Sequence, residues 1–146
     1  MNESTHASVV AGVRAVIATH AQAQDAGRTD DVVALYAPDG VLELPGAAPV
    51  EGHDALRVAF AGWKPARPQL HLTGNIVVTA RGEDEATAVS DVTYFHRGDG
   101  EPGESGESGE PGVSGWTVQI VGRYEDTLRR YDGAWRLTRR ASAFQA

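Results

Sequence analysis

The feature that most constrains this chain is a change of hydrophobic period at Pro68. Before it, Val9, Val10, Val13, Val16, Ile17 and Ala21 recur at helical spacing, and His20 falls on the same face. After it, apolar and polar residues alternate, with Leu70, Leu72, Ile76 and Val78 set against His71, Thr73, Asn75 and Val77. A first helix therefore runs from Ala7 to about Asp25 and stops at Gly27. Thr29 or Asp30 caps a second, Asp31–Ala37; Pro38-Asp39-Gly40 is a turn signal and Val41–Leu44 a short strand. A third helix spans Ala55–Trp63. Beyond Pro68 come long strands, including Ala86–Arg97, Trp116–Tyr131 and Ala134–Phe144, the last two joined by the hairpin signal Asp132-Gly133. Helices followed by a run of strands predict an α+β fold, a curved antiparallel sheet packed on three N-terminal helices.

A length of 146 residues suits one domain, 1–146. The absence of cysteine excludes a disulfide scaffold, a thiolate metal site and a cysteine nucleophile. A net charge of −7 argues against a nucleic-acid partner. That charge is local. Residues 98–115 hold seven of the 17 glycines and five acids (Asp99, Glu101, Glu104, Glu107, Glu110) but no Lys or Arg. The rest carries 15 acids against 13 bases. Glycine recurs there at every third position with collagen-like periodicity. Five triplets between two strands are too few for a triple helix, so an acidic flexible loop is expected. The start of the chain has no basic segment, and its apolar stretch Val9–Ala18 carries Arg14. A cytoplasmic protein without a membrane partner is expected.

Three landmarks coincide: the opening helix ending in Asp25, the turn Ala37-Pro38-Asp39-Gly40, and the closing Tyr131-Asp132-Gly133-Ala134-Trp135-Arg136-Leu137. With Gly122-Arg123-Tyr124-Glu125-Asp126, they resemble the SnoaL-like, scytalone-dehydratase-like branch of the nuclear-transport-factor-2-like superfamily. The resemblance covers essentially the whole chain except the loop. It implies a cone-shaped sheet around helices, a deep pocket, and a homodimer formed through the sheet. The superfamily hosts dehydratases, polyketide cyclases, isomerases, epoxide hydrolases and non-catalytic members, so fold alone does not select a reaction. In scytalone dehydratase and its relatives, an aspartate near the end of the first helix supports one histidine, and a second histidine works opposite. Asp25, His71 and His96 stand at the matching places, the histidines at the interval the resemblance calls for. Gln24 and Leu44 replace two tyrosines of the scytalone-type site, and Tyr124 falls near its asparagine, which argues against scytalone itself as substrate.

The chemistry has a reason to want this set. An imidazole exchanges protons near neutrality, and a carboxylate fixes its tautomer and raises its basicity. His71 is the candidate base, and His96 with Asp25 the acid or orienting pair. Each has a structural alternative: a strand histidine on the surface, or a solvated carboxylate at a helix end. Asp25 also lies about 140° around the helix from His20, so the two reach one cavity only from its flanks. His20 is either a pocket donor or a satisfied core histidine. Asn75, on the face of His71, bonds the backbone or a substrate, and Tyr94, on the face of His96, is a pocket hydroxyl. Tyr36 reads as core; His6 and His53 read as exposed. Two histidines and a carboxylate also suit zinc or non-haem iron, but no tight ligand motif is present, and neither metal nor cofactor is expected. The expected function is cofactor-independent acid–base catalysis on a small apolar carbonyl compound. A dehydratase-like lyase leads, with a cyclase, an isomerase or a non-catalytic binder of hydrophobic ligands as alternatives.

Overall fold

A computed structural model describes residues 1–98 and 115–144. The glycine-rich loop expected over 98–115 lies outside the described residues, apart from its end positions Gly98 and Gly115. Helix α1 spans Glu3–Asp25. It starts at Glu3 rather than Ala7 because Asn2 caps it, its side-chain oxygen accepting from the Thr5 N–H at 2.8 Å. At its end Arg28 N–H donates to Ala23 O and Gly27 N–H to Gln24 O, with Gly27 at φ +71°. This is a Schellman motif, which needs a residue tolerant of the left-handed region after the cap. It makes Asp25 the last helical residue.

Helices α2 (Thr29–Val33) and α3 (Gly52–Gly62) follow, with β1 (Tyr36–Glu43) and β2 (Val50–Glu51) between them. The long strands are β3 (Gln69–Ala80), β4 (Glu85–Arg97), β5 (Trp116–Tyr131) and β6 (Ala134–Phe144). All six form one curved, unclosed sheet in the order β2-β1-β6-β5-β4-β3. Asp132 and Gly133, both at positive φ, make the β5–β6 turn that the sequence predicts. Helix α1 lies along β3, burying Val9, Val13, Val16 and Ile17 with Leu56, Leu128 and Leu137. Each such side chain contributes roughly 1.5–3 kcal/mol of burial.

Three expectations are corrected. Residues 34–37 are not helical: β1 begins at Tyr36, and Pro38-Asp39-Gly40 is a bulge within that strand instead of a chain reversal. The sheet is not wholly antiparallel, since β1 pairs with β6 in parallel, Tyr36 against Leu137 and Leu42 against Arg140. Finally, β3 carries a bulge between Gly74 and Val77, with Asn75 at φ +50°. The slip turns Ile76 and Val78 inward but leaves Leu70 and Leu72 facing out, so the alternation predicted across Asn75 is broken.

Candidate functional site

Cross-strand register builds the site. In the β3–β4 hairpin, Gln69 pairs with His96 and His71 with Tyr94, so four polar side chains stand as a block on the inner face. They form one wall of a cavity of about 440 Å³. The lining also includes the apolar side chains of Leu42, Leu44, Phe60, Trp63, Val92 and Ile120.

Asp25 approaches this block from the end of α1. Because β3 is an edge strand, the outward-turned His71 N–H has no ladder partner. Asp25 supplies one: Oδ2 accepts that N–H at 2.7 Å, and Oδ1 accepts from His71 Nδ1 at 2.6 Å. Gln69 Nε2 donates to Oδ1 as well, at 3.1 Å. With Nδ1–H directed at the carboxylate, His71 keeps Nε2 as its free ring nitrogen. The aspartate thus serves His71, whereas the sequence paired it with His96.

The Tyr94 ring stacks on the His71 ring, centroids 4.4 Å apart and planes 20° apart. Its hydroxyl lies 3.0 Å from Gln69 Oε1 and 2.6 Å from His96 Nε2. Burial, and then the Asp25 charge, raise the Tyr94 pKa, so the phenol stays protonated.

His20 lines the cavity and is also a satisfied core histidine, 2% exposed. Burial, then the charge of Arg140, hold its pKa well below the usual value and keep the ring neutral. Burial raises the Tyr36 pKa, so its hydroxyl stays protonated, 2.9 Å from His20 Nε2. Beside them Arg140 is bidentate to Asp126, at 2.8 and 2.9 Å, and its guanidinium lies 3.8 Å from the centre of the Tyr124 ring. Burial acts to lower the Arg140 pKa, but Asp126 outweighs it and the guanidinium stays charged.

Of the predicted residues, the structure brings together Asp25, His71, Tyr94 and His96, and puts His20 on another part of the same cavity. Asn75 is not among them. The β3 bulge turns it outward, where its amide donates to Asp91 Oδ2 at 2.9 Å. His53 is corrected too: it is half-buried, and its Nε2–H donates to Tyr36 O at 2.8 Å where the β1 bulge interrupts pairing. Gln24, Leu44 and Tyr124 all line the cavity. Sequence reasoning missed Gln69, although its place two residues before His71 on one strand face was a usable signal. It also missed Arg140 and Asp126, whose pairing depends on the β5–β6 register. Among the described residues no group of three potential metal ligands gathers.

Residues 5–141 match the family model of the SnoaL-like domain. No curated protein matches the chain in sequence. Among solved structures, a provisionally assigned scytalone dehydratase from Novosphingobium aromaticivorans aligns with TM-score 0.82 and 20% identity, over 99% of this chain and 89% of that one. Rv3472 of Mycobacterium tuberculosis, of unknown function, aligns with TM-score 0.81 and 20% identity, over 99% and 77%. LinA aligns with TM-score 0.77 and 16% identity, over 100% and 92%. At these identities the likeness is one of fold. The match over residues 5–141 carries the assignment: the chain belongs to the SnoaL-like domain family.

Proposed function

We propose that the cavity is an acid–base site for a small, largely apolar carbonyl compound, and that it eliminates water as a dehydratase-like lyase. The observation that carries this reading is the 2.6 Å contact between His71 Nδ1 and Asp25, which leaves Nε2 as the atom able to take a proton. In the reaction, neutral His71 removes the proton α to the carbonyl through Nε2. The C–H electron pair is held as an enolate, which then forms the new carbon–carbon double bond as the β-hydroxyl departs, and protonated His96 gives that hydroxyl its proton, so that water leaves. Asp25 stabilises the His71 imidazolium, and exchange with solvent restores both rings. The apolar side chains of the lining support the choice of an apolar substrate. A cyclase or isomerase would share the base step and differ in where the enolate electrons go.

The same reading includes a homodimer. The outer sheet face exposes Leu72, Val77, Val89 and Val121, a surface suited to a second copy. No helix among the described residues is long and apolar enough to cross a membrane.

Water loss from β-hydroxypropiophenone and ring-substituted analogues, followed by chromatography, tests the reaction. The parent is expected to dehydrate these ketones, and His71→Gln and His96→Asn to lose on the order of 10²–10⁴-fold in rate. Equal turnover in all three proteins would refute it.

A further inference from the structure

Building on the reading of His71 as base, we infer that Gln69 is a positioning residue that locks the two histidines of the site in opposite tautomers. An ionised carboxylate only accepts hydrogen bonds, so the edge of Gln69 turned toward Asp25 at 3.1 Å is its NH2 group. The Gln69 carbonyl oxygen is thereby turned toward Tyr94, whose hydroxyl lies 3.0 Å away. That oxygen has nothing to donate, so the single Tyr94 proton is directed at it. The Tyr94 oxygen then faces His96 Nε2 at 2.6 Å with its own proton already engaged. The contact is a hydrogen bond only if His96 carries its proton on Nε2.

At the other end of the chain, His71 Nδ1 donates to Asp25 at 2.6 Å. Every bond therefore runs one way, from His96 through Tyr94 and Gln69 to Asp25, which also receives His71. Turning the Gln69 amide over would set oxygen against oxygen at Asp25. The register supports the arrangement, since Gln69 sits opposite His96 while Tyr94 sits opposite His71.

Within this chain of bonds the ring lone pairs left open are those of His71 Nε2 and His96 Nδ1. Protonating His96 adds its proton at Nδ1 and breaks no bond of the chain, so the acid of the proposed elimination donates from Nδ1. Gln69 touches neither reacting atom. It acts by presenting a donor to Asp25 and an acceptor to Tyr94, a polarity that neither Leu nor ionised Glu can reproduce.

The test is a long-range proton–nitrogen NMR correlation on the full chain with isotope-labelled histidine, under conditions where both rings are neutral. Signals are assigned with His71→Gln and His96→Asn. The parent is expected to show the Nδ1–H pattern for His71 and the Nε2–H pattern for His96. In Gln69→Leu, His96 is expected to lose its single-tautomer pattern for a mixture, while His71 keeps Nδ1–H through Asp25. The same tautomer on both rings of the parent, or an unchanged His96 in Gln69→Leu, would overturn the inference. The parent spectrum decides it even if the variant does not fold. These spectra record no turnover, so the tautomer assignment and the proposed reaction fail separately.

Discussion

Asp25 holds residue 71 twice, by the backbone N–H at 2.7 Å and by the imidazole Nδ1 at 2.6 Å. One carboxylate therefore caps an unpaired edge-strand amide and orients a ring 46 residues away in sequence. The two tasks separate in Asp25→Asn, whose amide oxygen can still accept one of these bonds while the charge is gone. Turnover on β-hydroxy ketones is expected to fall by on the order of 10²–10⁴-fold. Steady-state kinetics beside a thermal melt check this: the loss should appear mainly in kcat, with the fold intact.

Buried His20 carries a pH signature. Its folded-state pKa is well below the ordinary value of 6.5, first through burial. Below pH 6.5 the unfolded chain takes up a proton that the folded chain refuses, so stability is full above that value and drains as pH falls toward the folded-state pKa. Urea unfolding of the parent and of His20→Asn, at about pH 7.5 and about pH 5 around the ordinary histidine value, measures it. The parent is expected to lose more stability between the two conditions than the variant does.

Arg140 and Asp126 are each 2% exposed and bidentate to one another. Asp126→Ala strands a guanidinium that burial alone cannot tolerate, and about 3–5 kcal/mol of stability should be lost. Replacing both partners with apolar residues is expected to recover much of that loss, which denaturant titration of the single and double variants would reveal.

The outer sheet face supplies a test independent of catalysis. Leu72, 57% exposed, lies on it. Leu72→Glu is expected to shift the protein from dimer toward monomer in sedimentation velocity, with unchanged secondary structure by circular dichroism. A parent that sediments as a monomer at all concentrations would rule out this interface.

What was legible in the sequence was what neighbouring residues decide. The switch of period at Pro68, the stop at Gly27 and the turn at Asp132-Gly133 are local signals, and each has its counterpart in the structure. Tyr36 could not be placed in a strand, because its partner Leu137 lies a hundred residues away and nothing beside it signals a parallel pairing. Asn75 was put on the wrong face because strict alternation holds only until a bulge, and its positive φ is set by how β3 meets β4. The family resemblance implies that Asp25, His71 and His96 belong to one region. Which histidine takes the carboxylate depends on how α1 docks on the β3 edge, a tertiary fact. Gln69 was overlooked since a glutamine has no proton chemistry of its own; its importance lies in the direction of its hydrogen bonds.

The central claim is that His71, held by Asp25, takes a proton from carbon next to a carbonyl. Exchange of the α-protons of propiophenone and its ring-substituted analogues for solvent deuterium isolates that step, because these ketones carry no leaving group. Followed by proton NMR, the parent is expected to catalyse exchange, and His71→Gln to lower the rate by on the order of 10²–10⁴-fold. Absence of exchange across the series, or a rate unchanged in His71→Gln, would contradict the account.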